Sequence, residues 1–216
     1  MDKQLCVFPW KGAIFDLDGT IIDSMGVWQQ IDEAFLKRRH IMVDQDYIEA
    51  VKTLRYEDAA VYTIERYHLP ETVQAVMEEW DEMALDAYQN QIPCKPGAKE
   101  YILYLKEKGV KLALATVSHA GLSQAVLKAH GLDTVFDVCT DVSQVSRGKE
   151  EPDLYLLAAE RMALQPEQCV VFEDILMGIQ AVKRTGFVTC GIQDASSAAE
   201  KAAIQQTADF YLESFL

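Results

Sequence analysis

The chain has 216 residues, half of them hydrophobic, and carries a formal net charge of −14. This length suffices for a core domain with a small second domain, and the negative charge argues against a nucleic-acid partner, because phosphate backbones bind basic surfaces. No apolar stretch approaches the roughly 20 residues of a membrane-spanning helix, and no signal-peptide pattern opens the chain. We therefore expect a cytoplasmic monomer or small homo-oligomer that does not bind membranes.

The first predicted strand ends in two carboxylates. Residues 13–15 are an apolar run, and Asp16 and Asp18 follow it directly, before a Gly-Thr turn. Open parallel sheets bind their ligands just beyond the carboxyl ends of the strands, so these side chains stand where such sheets place chemistry. The ordinary alternative is that the strand leads into a surface loop with two solvated aspartates. The three later segments described below make this alternative less favourable.

A helical segment follows this strand. Ser24 is a suitable N-cap for a helix that carries Val27, Ile31 and Phe35 on one side, and helical periodicity continues over residues 44–52, 57–67 and 71–89. No strand pattern interrupts these helices. We therefore predict that residues 23–90 form an inserted helical bundle, a cap domain.

From residue 91 onward the pattern alternates between helix and strand. Pro93, Pro96 and Gly97 are break signals at the return from the helical segment. Helices are predicted at 98–108, 120–130 and 178–184, with another opened by Pro152, and strands at 110–116, 136–141, 169–172, 187–192 and 209–212. This alternation is typical of a doubly wound, Rossmann-like parallel sheet. The predicted α/β core is residues 1–22 plus 91–216.

Three later segments carry polar groups in positions comparable to those of Asp16 and Asp18. Thr116 ends the second strand, where its hydroxyl and the adjacent backbone N–H groups could hold phosphate oxygens, while Ser118 could serve as a helix N-cap. Lys149 stands three residues before Pro152. The buried strand at 169–172 ends in Glu173 and Asp174, which repeats the pattern of the first strand.

Adjacent strands would bring four carboxylates together, those of Asp16, Asp18, Glu173 and Asp174. Carboxylates crowded in this way repel one another, and several would be forced to protonate. A hard divalent cation resolves the conflict, and oxygen ligands with room for water and phosphate suit Mg²⁺. We therefore expect Mg²⁺ as the cofactor.

The segment Phe-Asp-Leu-Asp-Gly-Thr, together with the three later segments in the same order, resembles the four signatures of the haloacid dehalogenase superfamily. The resemblance covers nearly the whole chain and is closest to beta-phosphoglucomutase-like proteins, whose cap lies between the first and second signatures. Because the true dehalogenases lack the second Asp and the phosphonate hydrolases replace it, the presence of Asp18 indicates phosphoryl transfer. A Ser commonly follows Glu-Asp in the family, whereas this chain has Ile175.

The resemblance also implies a role for each site residue. Asp16 would be the nucleophile and Asp18 the general acid/base, while Lys149 would neutralise the nucleophile and the phosphate together. Thr116, Lys149 and the backbone at Val117 would bind the phosphate. The implied metal ligands are the Asp16 carboxylate, the Asp18 main-chain carbonyl and Asp174, with Glu173 close by or acting through water. The predicted enzyme is a Mg²⁺-dependent phosphatase of a small phosphorylated metabolite, sugar phosphates included.

Substrate choice would come from the cap, chiefly from its first helix and from the turn at residues 53–57, which resembles the specificity loop of the family. The candidate residues are Met25, Trp28, Arg55 and Tyr56. The ordinary alternative places the two aromatic residues in the cap core and Arg55 on the surface. Two other functions stay open: a phosphosugar mutase, and a binding or regulatory protein with negligible turnover. The mutase is weakened because Trp28 stands where the mutases have a cap His, and Tyr56 where they have an Arg.

Overall fold

The computed structural model of the chain describes residues 7–51, 54 and 56–216. The chain divides into two compact units, Met1–Met25 with Ile92–Leu216 and, between them in sequence, Gly26–Gln91. The first unit contains the sheet and the second is helical. Arg55 lies outside the described residues. No helix in the described ranges is both long enough and apolar enough to cross a membrane.

The sheet of the first unit has the alternating connections that the sequence predicts. Its strands are β1 (Gly12–Phe15), β2 (Lys111–Thr116), β3 (Val138–Asp141), β4 (Cys169–Glu173), β5 (Val188–Ile192) and β6 (Phe210–Leu212). All pairs are parallel, in the order β3-β2-β1-β4-β5-β6. Because β1 lies between β2 and β4, the carboxyl ends of these three strands are neighbours. The predicted α/β fold class is confirmed.

The described helices are, in chain order, α1 (Val27–Arg38), α2 (Gln45–Val51), α3 (Tyr56–Tyr67), α4 (Val73–Asn90), α5 (Ala98–Glu107), α6 (Ala120–Ala129), α7 (Asp153–Arg161), α8 (Leu176–Lys183) and α9 (Lys201–Thr207). The first four belong to the helical unit and the other five to the sheet unit. The short helix α9 has no counterpart in the sequence prediction.

The two faces of the sheet have different packing partners. On one face, Ile14 and Val171 belong to a core cluster that includes Leu154 and Tyr155 of α7. On the other, the Phe15 and Phe172 rings stack with centroids 4.4 Å apart, and Tyr101 of α5 packs against Phe172. Since side chains of a strand alternate between its faces, Asp16 and Glu173 continue the rows of Ile14 and Val171, on the side of α7.

The helical unit has its own buried interior. Helix α4 packs against both α1 and α3, and its buried residues include Trp80, whose ring contacts Phe35 of α1 edge-on. Tyr47 of α2 is fully buried, and its hydroxyl lies 2.9 Å from that of Thr63 on α3. This unit therefore combines apolar packing with hydrogen-bonded hydroxyl groups.

The predicted helix caps are wrong in three places. Helix α1 begins at Val27 after Gly26, whose φ of 104° favours glycine, so Ser24 does not cap it. Helix α6 begins at Ala120, as predicted, but its N-cap is His119 and not Ser118. Pro152 occupies the N-cap of α7, one position earlier than predicted. Ser24 and Ser118 use their hydroxyls elsewhere, as the site shows.

Candidate active site

Three buried carboxylates meet at the carboxyl ends of β1 and β4. Asp16 follows β1, and the register that pairs Phe15 with Phe172 places Glu173 at the corresponding position of β4. Each of Asp16, Glu173 and Asp174 offers one oxygen such that these oxygens all lie within 4.8 Å of one another. All three residues are almost fully inaccessible to solvent. The structure thus brings together three of the four predicted carboxylates.

Lys149, in the loop before α7, neutralises part of this charge. Its Nζ forms a salt bridge with Asp16 Oδ1 and lies 2.8 Å from Glu173 Oε2. Burial alone would lower the pKa of Lys149, but the charges of Asp16 and Glu173 overcome this effect and hold the pKa well above its usual value. Lys149 therefore carries a fixed positive charge shared between two carboxylates.

One buried lysine does not balance three carboxylates. Burial, followed by the charge of Glu173, raises the pKa of Asp16 well above its usual range despite the opposing effect of Lys149. Burial and Glu173 likewise raise the pKa of Asp174 to about 7. When all three carboxylates are ionised, the site has an excess of negative charge, and a further cation would relieve it.

Asp174 also has an unused oxygen. Thr20 Oγ1 donates a hydrogen bond to Asp174 Oδ1 at 3.3 Å, whereas the buried Oδ2 has no hydrogen-bond partner in the described part of the chain. Gly19 passes so close that a Cβ there would lie 2.3 Å from this oxygen. A buried, unpartnered carboxylate oxygen among other hard oxygen donors fits a divalent cation such as Mg²⁺.

Asp18 is not one of the three clustered carboxylates, and both of its carboxylate oxygens accept hydrogen bonds from serines. Ser24 Oγ donates to Asp18 Oδ1 at 2.7 Å, and Ser118 Oγ donates to Asp18 Oδ2 at 2.6 Å. The two serines that the sequence suggested as helix caps therefore fix the orientation of the Asp18 carboxylate. The sequence suggested that both serines accept hydrogen bonds from backbone N–H groups as N-caps, whereas in the structure both hydroxyls donate to Asp18.

Two of the three predicted phosphate-binding residues, Thr116 and Val117, lie at the end of β2, next to β1. Thr116 is buried, and its Oγ1 accepts a hydrogen bond from the Ser118 backbone N–H at 3.0 Å. This contact does not use the hydroxyl hydrogen, which can be donated to a phosphate oxygen. The Val117 side chain is apolar and has no hydrogen-bond donor, so the main chain of Val117 is the part that suits such a role.

Two features of the site were absent from the sequence prediction. Tyr155 of α7 donates its hydroxyl to Glu173 Oε2 at 2.7 Å. Lys95, in the return segment, forms a salt bridge of 2.6 Å with Asp194, which follows β5 and adds to the raised pKa of Asp174. The sequence offered one indication of Tyr155, a hydroxyl group on the otherwise apolar side of α7. It offered no indication that Lys95 and Asp194 form a pair.

The candidate specificity residues occupy different environments. Met25 belongs to the sheet unit and is 44% exposed. In the helical unit, Trp28 is 42% exposed and contacts the Tyr56 ring edge-on, while the Tyr56 hydroxyl donates to Asp81 at 2.8 Å. The Tyr56 hydroxyl is thus engaged within its own unit, and the specificity roles stay predictions.

Comparison with known proteins gives consistent matches over most of the chain. The family of haloacid dehalogenase-like hydrolases matches residues 10–186. A phosphorylated carbohydrates phosphatase of Thermotoga maritima is 25% identical, covering 90% of this chain and 92% of the relative. A fructose-1-phosphate phosphatase of Escherichia coli is 30% identical, covering 82% of this chain and 93% of the relative.

Mutases are also among the similar proteins. The beta-phosphoglucomutase of Bacillus subtilis is 27% identical, covering 94% of this chain and 92% of the relative. A solved structure from Thermotoga maritima, described as a candidate beta-phosphoglucomutase, superposes with a TM-score of 0.83 at 25% identity, covering 94% of each chain. The chain therefore belongs to the haloacid dehalogenase-like hydrolases, in the beta-phosphoglucomutase-like subgroup, and is an enzyme of the phosphatase class, a phosphoric monoester hydrolase.

Proposed function

We propose that this enzyme is a Mg²⁺-dependent phosphatase that hydrolyses a small phosphorylated metabolite of the sugar-phosphate class through a phosphorylated Asp16. The observation that carries the proposal is the shared salt bridge of Lys149 with Asp16 and Glu173, beside the unpartnered oxygen of Asp174. The names of the relatives that act on phosphorylated carbohydrates and fructose 1-phosphate support the substrate class.

The proposed first step is attack by Asp16 on the phosphorus atom. The ammonium group of Lys149 lies against the Asp16 carboxylate and opposes the rise in its pKa that burial and Glu173 cause, and bound Mg²⁺ would add to this effect, so that Asp16 can react as the ionised nucleophile. As the oxygen–phosphorus bond of the substrate breaks, Asp18 gives its proton to the leaving oxygen. The Thr116 hydroxyl and Lys149 hold the oxygens of the transferring group.

In the proposed second step, a water molecule attacks the phosphorus atom of the phosphorylated Asp16, and Asp18 accepts a proton from that water. The bond between the Asp16 oxygen and phosphorus breaks, which releases phosphate and restores the Asp16 carboxylate. Serine hydroxyls on both Asp18 oxygens hold this carboxylate in one orientation for both steps. Mg²⁺ held by Asp16, Asp174 and the Asp18 carbonyl, with Glu173 nearby, would supply positive charge to the carboxylates and the phosphoryl group. The fit of these residues to the ion rests on the unpartnered oxygen and the excess negative charge of the site.

The test is phosphate release from p-nitrophenyl phosphate and from a panel of sugar and nucleotide monophosphates, with Mg²⁺ and with EDTA. We expect turnover that requires Mg²⁺, disappears in Asp16→Asn and persists in Asp133→Asn, a control at an exposed aspartate. The ranking of the panel identifies the substrate class, and sugar phosphates should lead it. Turnover that survives in Asp16→Asn would contradict the proposed nucleophile.

The mutase alternative needs a separate assay. Conversion of glucose 1-phosphate to glucose 6-phosphate, without free phosphate, would replace the hydrolase proposal with a mutase. Trp28 and Tyr56 argue against this outcome, because neither side chain offers the cationic or imidazole group found at these positions in mutases. Mg²⁺ binding without turnover of any ester would instead favour a binding protein.

A further inference from the structure

Tyr155 carries a hydroxyl into an otherwise apolar cluster. Its ring lies among Ile14, Leu154 and Ala158, and the residue is fully buried. A buried hydroxyl is costly unless it is hydrogen-bonded, and a Phe would fill almost the same space without that cost. The hydroxyl meets this requirement with a single acceptor, Glu173 Oε2, at 2.7 Å.

The acceptor oxygen is the one that also binds Lys149. Glu173 Oε2 receives hydrogen bonds from Tyr155 at 2.7 Å and from Lys149 Nζ at 2.8 Å. Lys149 Nζ also forms a salt bridge with Asp16. A continuous chain of contacts therefore runs from the Tyr155 hydroxyl through Glu173 and Lys149 to the predicted nucleophile, Asp16.

Close packing around Glu173 restricts alternative arrangements. A Cβ at Gly178 would lie 2.9 Å from Glu173 Cγ and 3.1 Å from the Tyr155 hydroxyl. Within the described part of the chain, the other Glu173 oxygen accepts one long hydrogen bond, of 3.4 Å, from the Ile175 backbone N–H. Tyr155 and Lys149 are thus the principal donors that determine where the Glu173 carboxylate points.

We propose that Tyr155 is a positioning residue of the active site, which holds Glu173 so that Lys149 stays shared between Glu173 and Asp16. This inference rests on the proposed function, because its effect on turnover is transmitted to Asp16. The Tyr155 hydroxyl and Lys149 donate to the same oxygen, Glu173 Oε2, so the two donors compete for its charge. Without the hydroxyl, Lys149 is drawn toward Glu173, and both the nucleophile and the acidic cluster lose their arrangement.

The test compares Tyr155→Phe with Tyr101→Phe, a second buried tyrosine of the same unit, whose ring packs on Phe172 on the opposite face of the sheet. Mg²⁺ affinity is measured by calorimetry with MgCl₂, and kcat and KM are measured with p-nitrophenyl phosphate. We expect Tyr155→Phe to lower kcat and Mg²⁺ affinity by about 10-fold each, with KM nearly unchanged, since loss of a group that orients metal-site residues has effects of that order. Tyr101→Phe should change neither quantity.

Wild-type kcat and Mg²⁺ affinity in Tyr155→Phe would overturn the proposal, even if the variant were less stable. If the unmodified enzyme hydrolysed no ester, the proposed function would fail, while the Mg²⁺ affinities of the two variants would still decide the role of Tyr155. If neither variant bound Mg²⁺, a crystal structure of Tyr155→Phe would test the positioning role of Tyr155. Unchanged positions of Glu173 and Lys149 would then refute the positioning role.

Discussion

The acidic cluster of the sheet unit and Asp32 of the helical unit have different kinds of partners. The sheet unit gathers Asp16, Glu173 and Asp174 around one lysine, with one oxygen unpartnered. The helical unit places the half-buried Asp32 against a hydroxyl, since Tyr47 donates to Asp32 at 3.2 Å and also contacts Thr63. Asp32 has no salt bridge in the described ranges of the chain.

The difference indicates that the carboxylates of the acidic cluster serve to bind a ligand, whereas the carboxylate of Asp32 is part of the packed interior of the helical unit. The excess negative charge of the ionised acidic cluster favours binding of a cation. A bound cation would in turn attract an anionic substrate. Asp32 accepts a hydrogen bond from a neutral donor, the Tyr47 hydroxyl, and burial raises the pKa of Asp32 to about 6. Perturbing the sheet unit should therefore change activity and Mg²⁺ binding, whereas perturbing the helical interior should change stability and its pH dependence.

The largest effect is expected from Lys149→Met. This change leaves buried carboxylates without their cation, so the free energy of unfolding in EDTA should fall by about 3–5 kcal/mol. Hydrolysis should fall by about 10³-fold or more, because the charge on the transferring group loses a fixed partner. Chemical unfolding and p-nitrophenyl phosphate turnover measure the two effects.

The control for this prediction is Lys128→Met, at an exposed lysine of the same unit. A surface substitution of this kind should stay within about 0.5 kcal/mol of the wild type. Added Mg²⁺ should recover part of the stability of Lys149→Met by supplying positive charge to the cluster. A loss of stability that is equal in both variants would show that the salt bridges of Lys149 have no special weight.

Removal of the metal is expected to have the next largest effect. At a Mg²⁺ concentration of about 100 times the dissociation constant, binding should raise the free energy of unfolding by about 2.7 kcal/mol. Asp174→Asn should abolish most of this gain, because the substitution removes the charge that the ion would neutralise. Thermal unfolding in MgCl₂ and in EDTA measures the gain, and an undiminished gain in Asp174→Asn would place the ion elsewhere.

Asp32→Asn tests the helical side of the comparison. Burial raises the folded-state pKa from 3.8 to about 6, so Asp32 contributes stability below pH 4 that is lost as the pH rises toward 6, amounting to about 3 kcal/mol at most. Asn removes this titration and keeps an oxygen that can accept from Tyr47. The variant should therefore be more stable than the wild type at pH 7.5, by about 1–3 kcal/mol, with the difference shrinking as the pH falls to 4.5.

Urea unfolding of the wild type and of Asp32→Asn at several pH values measures this difference. The contributions of all other titrating groups cancel because the two proteins share them. Glu65→Gln, at an exposed acid of the same unit, serves as the control and should change stability by less than about 0.5 kcal/mol at each pH. A stability difference between wild type and Asp32→Asn that did not vary with pH would show that the charge of Asp32 is not the cause.

The sequence was informative where a signal is local or repeated along the chain. The strand that ends at Asp16 and the one that ends at Glu173 were predictable, since an apolar run followed by acids is visible in the sequence itself. The contacts of Ser24, Ser118 and Tyr155 were not, because their acceptors lie 6, 100 and 18 positions away. The sequence alone allows such a polar side chain to donate to several different acceptors. Its acceptor is determined only when the folded sheet places particular residues next to one another.

The smallest effect is expected at the start of α4. Thr72 is the N-cap, and its Oγ1 accepts a hydrogen bond from the Ala75 backbone N–H at 3.2 Å. Thr72→Ala removes this acceptor and should lower the free energy of unfolding by about 1 kcal/mol, whereas Thr72→Ser should retain most of it. Because Thr72 belongs to the helical unit, Mg²⁺ affinity should not change in either variant. A Thr72→Ala enzyme with weakened Mg²⁺ binding would mean that the stability of the helical unit is coupled to the acidic cluster, and the separation between the two kinds of buried charge would then not hold.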